Sequence, residues 1–367
     1  MKQKILIVVG TRPNFIKVTQ FDKVFNRYPE DFEYRLLHTG QHYDQNMSKV
    51  FFDQLKLREP DYYLGISNGT PAEQMGEIVI ALSGVFKEWT PDLIVVVGDV
   101  NSTFAAALAA NKHGVKIAHL ESGLRSLDRG MPEEINRILT DQITEMFFVT
   151  EQSGWDNLIA EGKNEAQLFF VGNTMIDTLV AFDDAIQASP IRKELGVEDK
   201  SFVLMTMHRP ANVDNREGLE KMLHVIRFIC QETTLVFPIH PRTKHRLETH
   251  DLWDDLTAID NLVLGPPMDY LAFQHLIAHC EFVLTDSGGI QEETTFRQVP
   301  CLTLRDSTER PSTITLGTNE LAVFDVTLLE EQIKRIRTGT FKDGQIPPKW
   351  DGKATDRIVE VLLEELG

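Results

Sequence analysis

Three carboxylates in the first half of this 367-residue chain stand where proton transfer could be done: Asp99, Glu121 and Glu133. Asp99 follows an apolar run at 93–97, Glu121 follows one at 115–120, and Glu133 opens a helix-compatible segment after Pro132. Carboxylates at strand ends acquire raised pKa values through burial or mutual repulsion, which suits general acid–base work. Capping and surface solvation would explain each acid singly. All of them at one sheet edge make chemistry an equal reading. The second half offers an anion seat. An apolar run at 282–284 ends in Thr285-Asp286-Ser287-Gly288-Gly289, and a helical segment follows. Backbone N–H groups at such a helix start hold phosphate or diphosphate, and glycines let the backbone approach the ligand. Glu292 and Glu293 come a turn later, where carboxylates can accept from ribose hydroxyls. A second apolar run at 299–304 ends in Arg305-Asp306-Ser307-Thr308-Glu309-Arg310, which brings Arg310 to meet a phosphate bidentately.

The elements that must position these residues are legible as short apolar runs at 5–9, 34–37, 93–97, 115–120, 146–149 and 168–171. Amphipathic stretches separate them, among them 46–56 and 71–89. The pattern restarts at 202–205, 234–237, 262–264, 282–284 and 299–304. Continuous apolar strands alternating with helices predict parallel sheets buried on both faces. Two such arrays predict two doubly wound α/β domains: an N-terminal domain over 1–174 with the carboxylates, a C-terminal domain over 175–353, and a final helix at 354–367 that packs back on the first domain. Nearly every reactive residue lies just past the carboxyl end of a run. In open α/β sheets ligands bind there, so the cleft between the facing domain edges is the expected site.

Composition narrows the class. Apolar residues are 42% and charged residues 25% of the chain, typical of a globular protein. No apolar run approaches the ~20 residues of a membrane span, and the N-terminus lacks a signal-peptide pattern. A net charge of −18 argues against nucleic acid and anionic membrane as partners. Cys230, Cys280 and Cys301 fit no metal or redox spacing, so a reducing cytoplasm is expected. His240, His245 and His250 are spaced by five, which does not align metal ligands on a helix. No dinucleotide fingerprint follows the first strand, so no bound cofactor is expected.

The strings GTRP (10–13), GD (98–99), ESGLRS (121–126), PEEINR (132–137), HR (208–209), DSGGIQEE (286–293) and TERP (308–311) together resemble the non-hydrolysing UDP-N-acetylglucosamine 2-epimerases. The resemblance spans residues 5 to about 325 and implies the GT-B fold, with two Rossmann-like domains. It implies interconversion of UDP-GlcNAc and UDP-ManNAc by elimination of UDP and re-addition, in a homodimer. Residue by residue, it implies Asp99, Glu121 and Glu133 as acids and bases. It places His208 near the leaving diphosphate. Arg12, Lys17, Arg125 and Arg209 become substrate contacts, Ser287, Gly288 and Gly289 the diphosphate seat, Glu293 the ribose acceptor, and Arg310 a phosphate or sugar contact. Which glutamate serves which sugar face stays open. The chain departs from the family pattern at Gln41-His42-Tyr43-Asp44 and at Arg209-Pro210-Ala211. These departures imply weak or absent allosteric activation by UDP-GlcNAc, and leave room for a UDP-2,3-diacetamido sugar or its uronic acid as substrate. A GT-B glycosyltransferase or a nucleotide-sugar sensor is the rival from another class.

Overall fold

A computed structural model of the chain describes residues 2–40 and 54–367. The departing loop Gln41-His42-Tyr43-Asp44, and most of the helix expected at 46–56, lie outside the described residues. The chain divides into two compact units, Met1–Ala181 with Pro348–Gly367, and Phe182–Pro347.

The first unit holds a seven-stranded sheet. Its strands are β1 (Gln3–Val9), β2 (Phe32–His38), β3 (Tyr62–Tyr63), β4 (Leu93–Val97), β5 (Lys116–Leu120), β6 (Met146–Val149) and β7 (Leu168–Phe170). They run in the order β3-β2-β1-β4-β5-β6-β7, and every pairing is parallel. The residues of β4, Leu-Ile-Val-Val-Val, are all buried, as a central parallel strand covered on both faces requires. The alanine-rich helix Asn101–His113 buries Ala105, Ala106, Ala107, Ala109 and Ala110, whose small side chains let it lie close to the sheet and to its neighbour Pro71–Glu88.

The second unit holds a six-stranded sheet, again wholly parallel. Its strands are β8 (Phe202–Thr206), β9 (Thr234–Pro238), β10 (Leu262–Gly265), β11 (Val283–Thr285), β12 (Cys301–Thr303) and β13 (Asn319–Leu321). Their order is β10-β9-β8-β11-β12-β13. Apolar clusters lie on both faces of this sheet, one around Met205, Phe237 and Ile226, the other around Phe202, Val236 and Leu276.

Two edge strands escape the hydrophobic pattern: β3 is a tyrosine pair and β13 reads Asn-Glu-Leu. The sequence reading puts the first boundary after 174. The compact unit runs on to Ala181 because helix Thr174–Ala181 packs against helix Arg12–Val18. The last helix, Ala354–Leu366, packs on Phe21–Phe25 and Thr174–Ala181 within the same unit.

Candidate active site

Each sheet reverses its winding at one place, between β1 and β4 in the first unit and between β8 and β11 in the second. Ligands of doubly wound sheets bind at such switch points, past the carboxyl ends of the strands. The residues beyond those four strands are Gly10–Arg12, Gly98–Asp99, Met207–Arg209 and Asp286–Gly289.

In the first unit the Asn14 side chain joins the two strand ends. Its Oδ1 accepts from the Gly10 and Thr11 amides, both at 3.1 Å, and its Nδ2 donates to the Val97 carbonyl at 3.2 Å. Gly10 is required here: a Cβ would lie 2.1 Å from Ser102 Oγ. Lys17 sits on the next turn of that helix, and its ammonium is ion-paired with Glu121. Both are buried. Glu121 has φ +73, a left-handed conformation that costs a non-glycine residue on the order of 1–3 kcal/mol.

Asp99 is partly exposed, and its carboxylate takes the buried Arg137 guanidinium at 2.5 Å. Asn136 donates to the Asp99 carbonyl at 3.0 Å. Asp99 and Glu121 thus each face a cation, where the sequence suggested carboxylates repelling one another. Arg137 also reaches Glu134 at 2.9 Å. Glu134, not Glu133, is the buried acid of the pair: it accepts from the Ser126 and Leu127 amides at 2.9 and 3.0 Å and so fixes the loop before the helix. Glu133 stands exposed in the first turn of helix Pro132–Ile143, which a proline at N1 starts. Arg12 is half-buried at the start of its helix.

Arg125 does not reach outward. Its guanidinium is buried, with Glu161 at 2.8 Å, Asp141 at 2.7 Å and the Leu124 carbonyl at 2.8 Å, so each nitrogen has a protein partner. Asp141 also takes His119 at 2.6 Å and the Gly123 amide at 3.1 Å. Burial alone would raise its pKa; the His119 and Arg125 charges and hydrogen bonds outweigh that and hold it below the usual carboxylate value.

In the second unit Asp286 organises the turn after β8. Its Oδ2 accepts from the His208 and Arg209 amides at 2.9 and 2.7 Å, and its Oδ1 lies 3.0 Å from His208 Nδ1. Burial would raise this carboxyl; the His208 ring and the two amides outweigh it, and its pKa is lowered. His208 is thereby oriented, with much of its ring exposed. His240 stacks obliquely at 5.3 Å, and its pKa is lowered by burial and by the His208 charge. The Arg209 side chain is half-buried beside it.

Helix Gly288–Arg297 starts after Ser287, which occupies the N-cap position without a side-chain capping bond. Ser287, Gly288 and Gly289 are half-exposed at its positive end. Around Gly288 stand the buried Arg305, Glu309 and Arg310. A Cβ there would lie 2.9 Å from Glu309, 3.3 Å from Arg310 and 3.5 Å from Arg305 Nη1. Arg310, expected on a phosphate, is ion-paired with Glu292 at 2.9 Å and with Glu309. Arg305 Nη2 pairs with Glu309 at 3.0 Å, while the buried Nη1 has no hydrogen-bond partner. Glu293 is buried near Tyr270, whose phenol is pushed up by burial and by that carboxylate.

Sequence reasoning passed over Arg305, Arg137, Glu134 and Asp286 as functional candidates, although all lie inside the motifs it singled out. Membership of those motifs was the available signal. Among the described residues no group of three or more His, Cys, Asp or Glu could hold a metal ion, and no helix is long and apolar enough to cross a membrane.

Comparison with known proteins supplies the family. The family model described as UDP-N-acetylglucosamine 2-epimerase matches residues 26–363. The Methanocaldococcus jannaschii UDP-N-acetylglucosamine 2-epimerase is 40% identical over 365 residues, 98% of either chain. A crystal structure of the enzyme from that organism, in complex with UDP-GlcNAc and UDP, has 38% identity and a TM-score of 0.88, covering 99% of this chain and 100% of that one. A Pseudomonas aeruginosa UDP-2,3-diacetamido-2,3-dideoxy-D-glucuronate 2-epimerase is 38% identical over 365 residues, 98% of this chain and 99% of that protein. With two doubly wound units of the GT-B-like kind and this full-length similarity, the chain belongs to the UDP-N-acetylglucosamine 2-epimerase family and is an isomerase.

Proposed function

We propose that the chain interconverts UDP-GlcNAc and UDP-ManNAc without hydrolysis. The observation that carries this is the pairing of Asp99 with Arg137 and of Glu121 with Lys17, at the ends of adjacent strands. The C2 proton of the sugar is weakly acidic, so rupture of the C1–O bond must lead, with positive charge building at C1. Carboxylates supported by buried cations suit the stabilisation of that charge and removal of the C2 proton. Glu133, exposed at a helix start, suits proton exchange with water and delivery to the opposite face. UDP departs as the C1–O electrons pass to the diphosphate. The glycine-led helix start, with Arg305 and Arg310 beside Gly288, suits that growing charge. His208, held by Asp286, assists the same group. Re-addition of UDP to the 2-acetamidoglucal, with a proton placed on the other face of C2, completes inversion. Arg12, Lys17 and Arg209 hold the nucleotide sugar, Glu293 the ribose, and Arg125 supports the first unit from within. The chain works as a cytoplasmic homodimer supplying cell-surface polysaccharide precursors.

The Pseudomonas aeruginosa relative favours a second reading, 2-epimerisation of a UDP-2,3-diacetamido sugar or its uronic acid. Proton and phosphorus NMR in D2O separates them. UDP-GlcNAc should yield UDP-ManNAc with deuterium at C2 of both epimers. Free UDP with ManNAc would point to hydrolysis. An unchanged spectrum beside turnover of the diacetamido uronate would establish the second reading.

A further inference from the structure

We propose that His119 is a positioning residue for the epimerisation, its doubly protonated ring locking the Gly98–Asp99 turn to the Glu121–Gly123 turn through Asp141; this rests on the function proposed above. His119 is the penultimate residue of β5, fully buried. Its Nε2 lies 2.7 Å from the Gly98 carbonyl and its Nδ1 lies 2.6 Å from Asp141 Oδ1. A carbonyl oxygen and a carboxylate only accept, so both ring nitrogens must donate, and only the imidazolium does that. The Asp141 Oδ2 takes the Gly123 amide at 3.1 Å and Arg125 at 2.7 Å. Arg125 in turn meets Glu161 at 2.8 Å, which leaves two cations against two anions in a closed network.

The turns so held are the ones that carry the acids. Gly98, with φ +68, immediately precedes Asp99, and its α-carbon sits beside Lys17 and Glu121: a Cβ there would be 3.4 Å from the ammonium and 3.6 Å from the carboxylate. Gly123, with φ +79, lies two residues after the strained Glu121, and a Cβ there would meet the Gly154 carbonyl at 2.2 Å. The buried ring therefore adds a side-chain tie between the strand ends bearing Asp99 and Glu121, beside the bond from the Gly98 amide to the Leu120 carbonyl at 3.0 Å. None of its atoms needs to touch substrate to do so.

The test uses two variants that each keep one of the two bonds. In His119→Asn the amide nitrogen replaces Nδ1, keeping Asp141 and losing Gly98; in His119→Gln it replaces Nε2, keeping Gly98. Per folded molecule, either variant breaks the tie and should lower kcat about 100-fold with KM changed less than about threefold. Nitrogen-15 NMR of the native protein with labelled histidine should show both His119 ring nitrogens protonated at pH 7. The proposal fails if either variant keeps native kcat per folded molecule while only the melting temperature falls, if KM rises as much as kcat falls, or if one native ring nitrogen is bare. A native protein that turns over no UDP-sugar would refute the function instead, and the spectrum would still decide the state of the ring.

Discussion

Arg305 carries the buried cation nitrogen beside Gly288 that has no hydrogen-bond partner, so a phosphate at the helix start would satisfy it. A hydrogen bond to a charged group contributes about 1.5–3 kcal/mol. Arg305→Gln is therefore expected to weaken UDP binding by about 10- to 150-fold, read by calorimetry, with Arg305→Lys intermediate because it keeps charge but loses the fork. Unchanged affinity would remove Arg305 from the site. Asp286 sets a different test. Its pKa is lowered in the folded state, so the unfolded chain binds the proton first as pH falls, and stability rises with pH through that interval. The contribution is complete above the unfolded carboxylate value near about 4 and is lost as pH falls through the lower folded value. The gap in unfolding free energy between native protein and Asp286→Asn should be widest at neutral pH and should close in acid. A gap independent of pH would show that the carboxylate's charge is irrelevant to the turn.

At the scale of elements, the hydrophobic runs located eleven of the thirteen strands among the described residues, because central parallel strands are apolar on both faces. The two that escaped are short and polar, and their pairing with β2 and β12 is a property of the sheet rather than of their own residues. The candidate acids Asp99 and Glu121 were legible for the same reason, since strand ends mark them. Their partners were not: Lys17 lies 104 residues from Glu121 and Arg137 lies 38 from Asp99, so no local spacing announces either pair. The start of the last helix is another long-range device. Asp177 accepts from the Ala354 amide at 3.0 Å and from the Thr355 amide and hydroxyl, both at 2.6 Å. Asp177→Ala would leave those buried donors without an acceptor, at a cost of about 2–4 kcal/mol. Chemical denaturation should report that loss, while Asp177→Asn, which keeps an acceptor, should lose less. Equal losses would mean that packing, not capping, holds the helix start.

At the scale of the whole chain, the first unit is made of two pieces far apart in sequence, and the second of one. Pro348–Gly367 supplies the first unit with Trp350, Ile358, Val359 and Leu362, all at most 2% exposed. Polar ties accompany them: Trp350 Nε1 donates to the Thr150 carbonyl at 3.0 Å, and Gln3 Nε2 to the Leu366 carbonyl at 2.6 Å. Burying those four side chains contributes about 1.5–3 kcal/mol each, or roughly 6–12 kcal/mol together. That is as large as the whole stability of an ordinary domain, about 5–15 kcal/mol. A chain ending at Pro347 should therefore lose hydrogen-exchange protection across β1, β6 and helix Thr174–Ala181. The second unit draws its apolar clusters from residues between Ile191 and Phe341, so its protection should persist. Asp99 and Glu121 stand on the unit that would unravel, and epimerase activity should vanish while the helix start at Gly288, with Arg305 beside it, still binds UDP. Full protection of the first unit after truncation would show that its sheet stands without the returning segment.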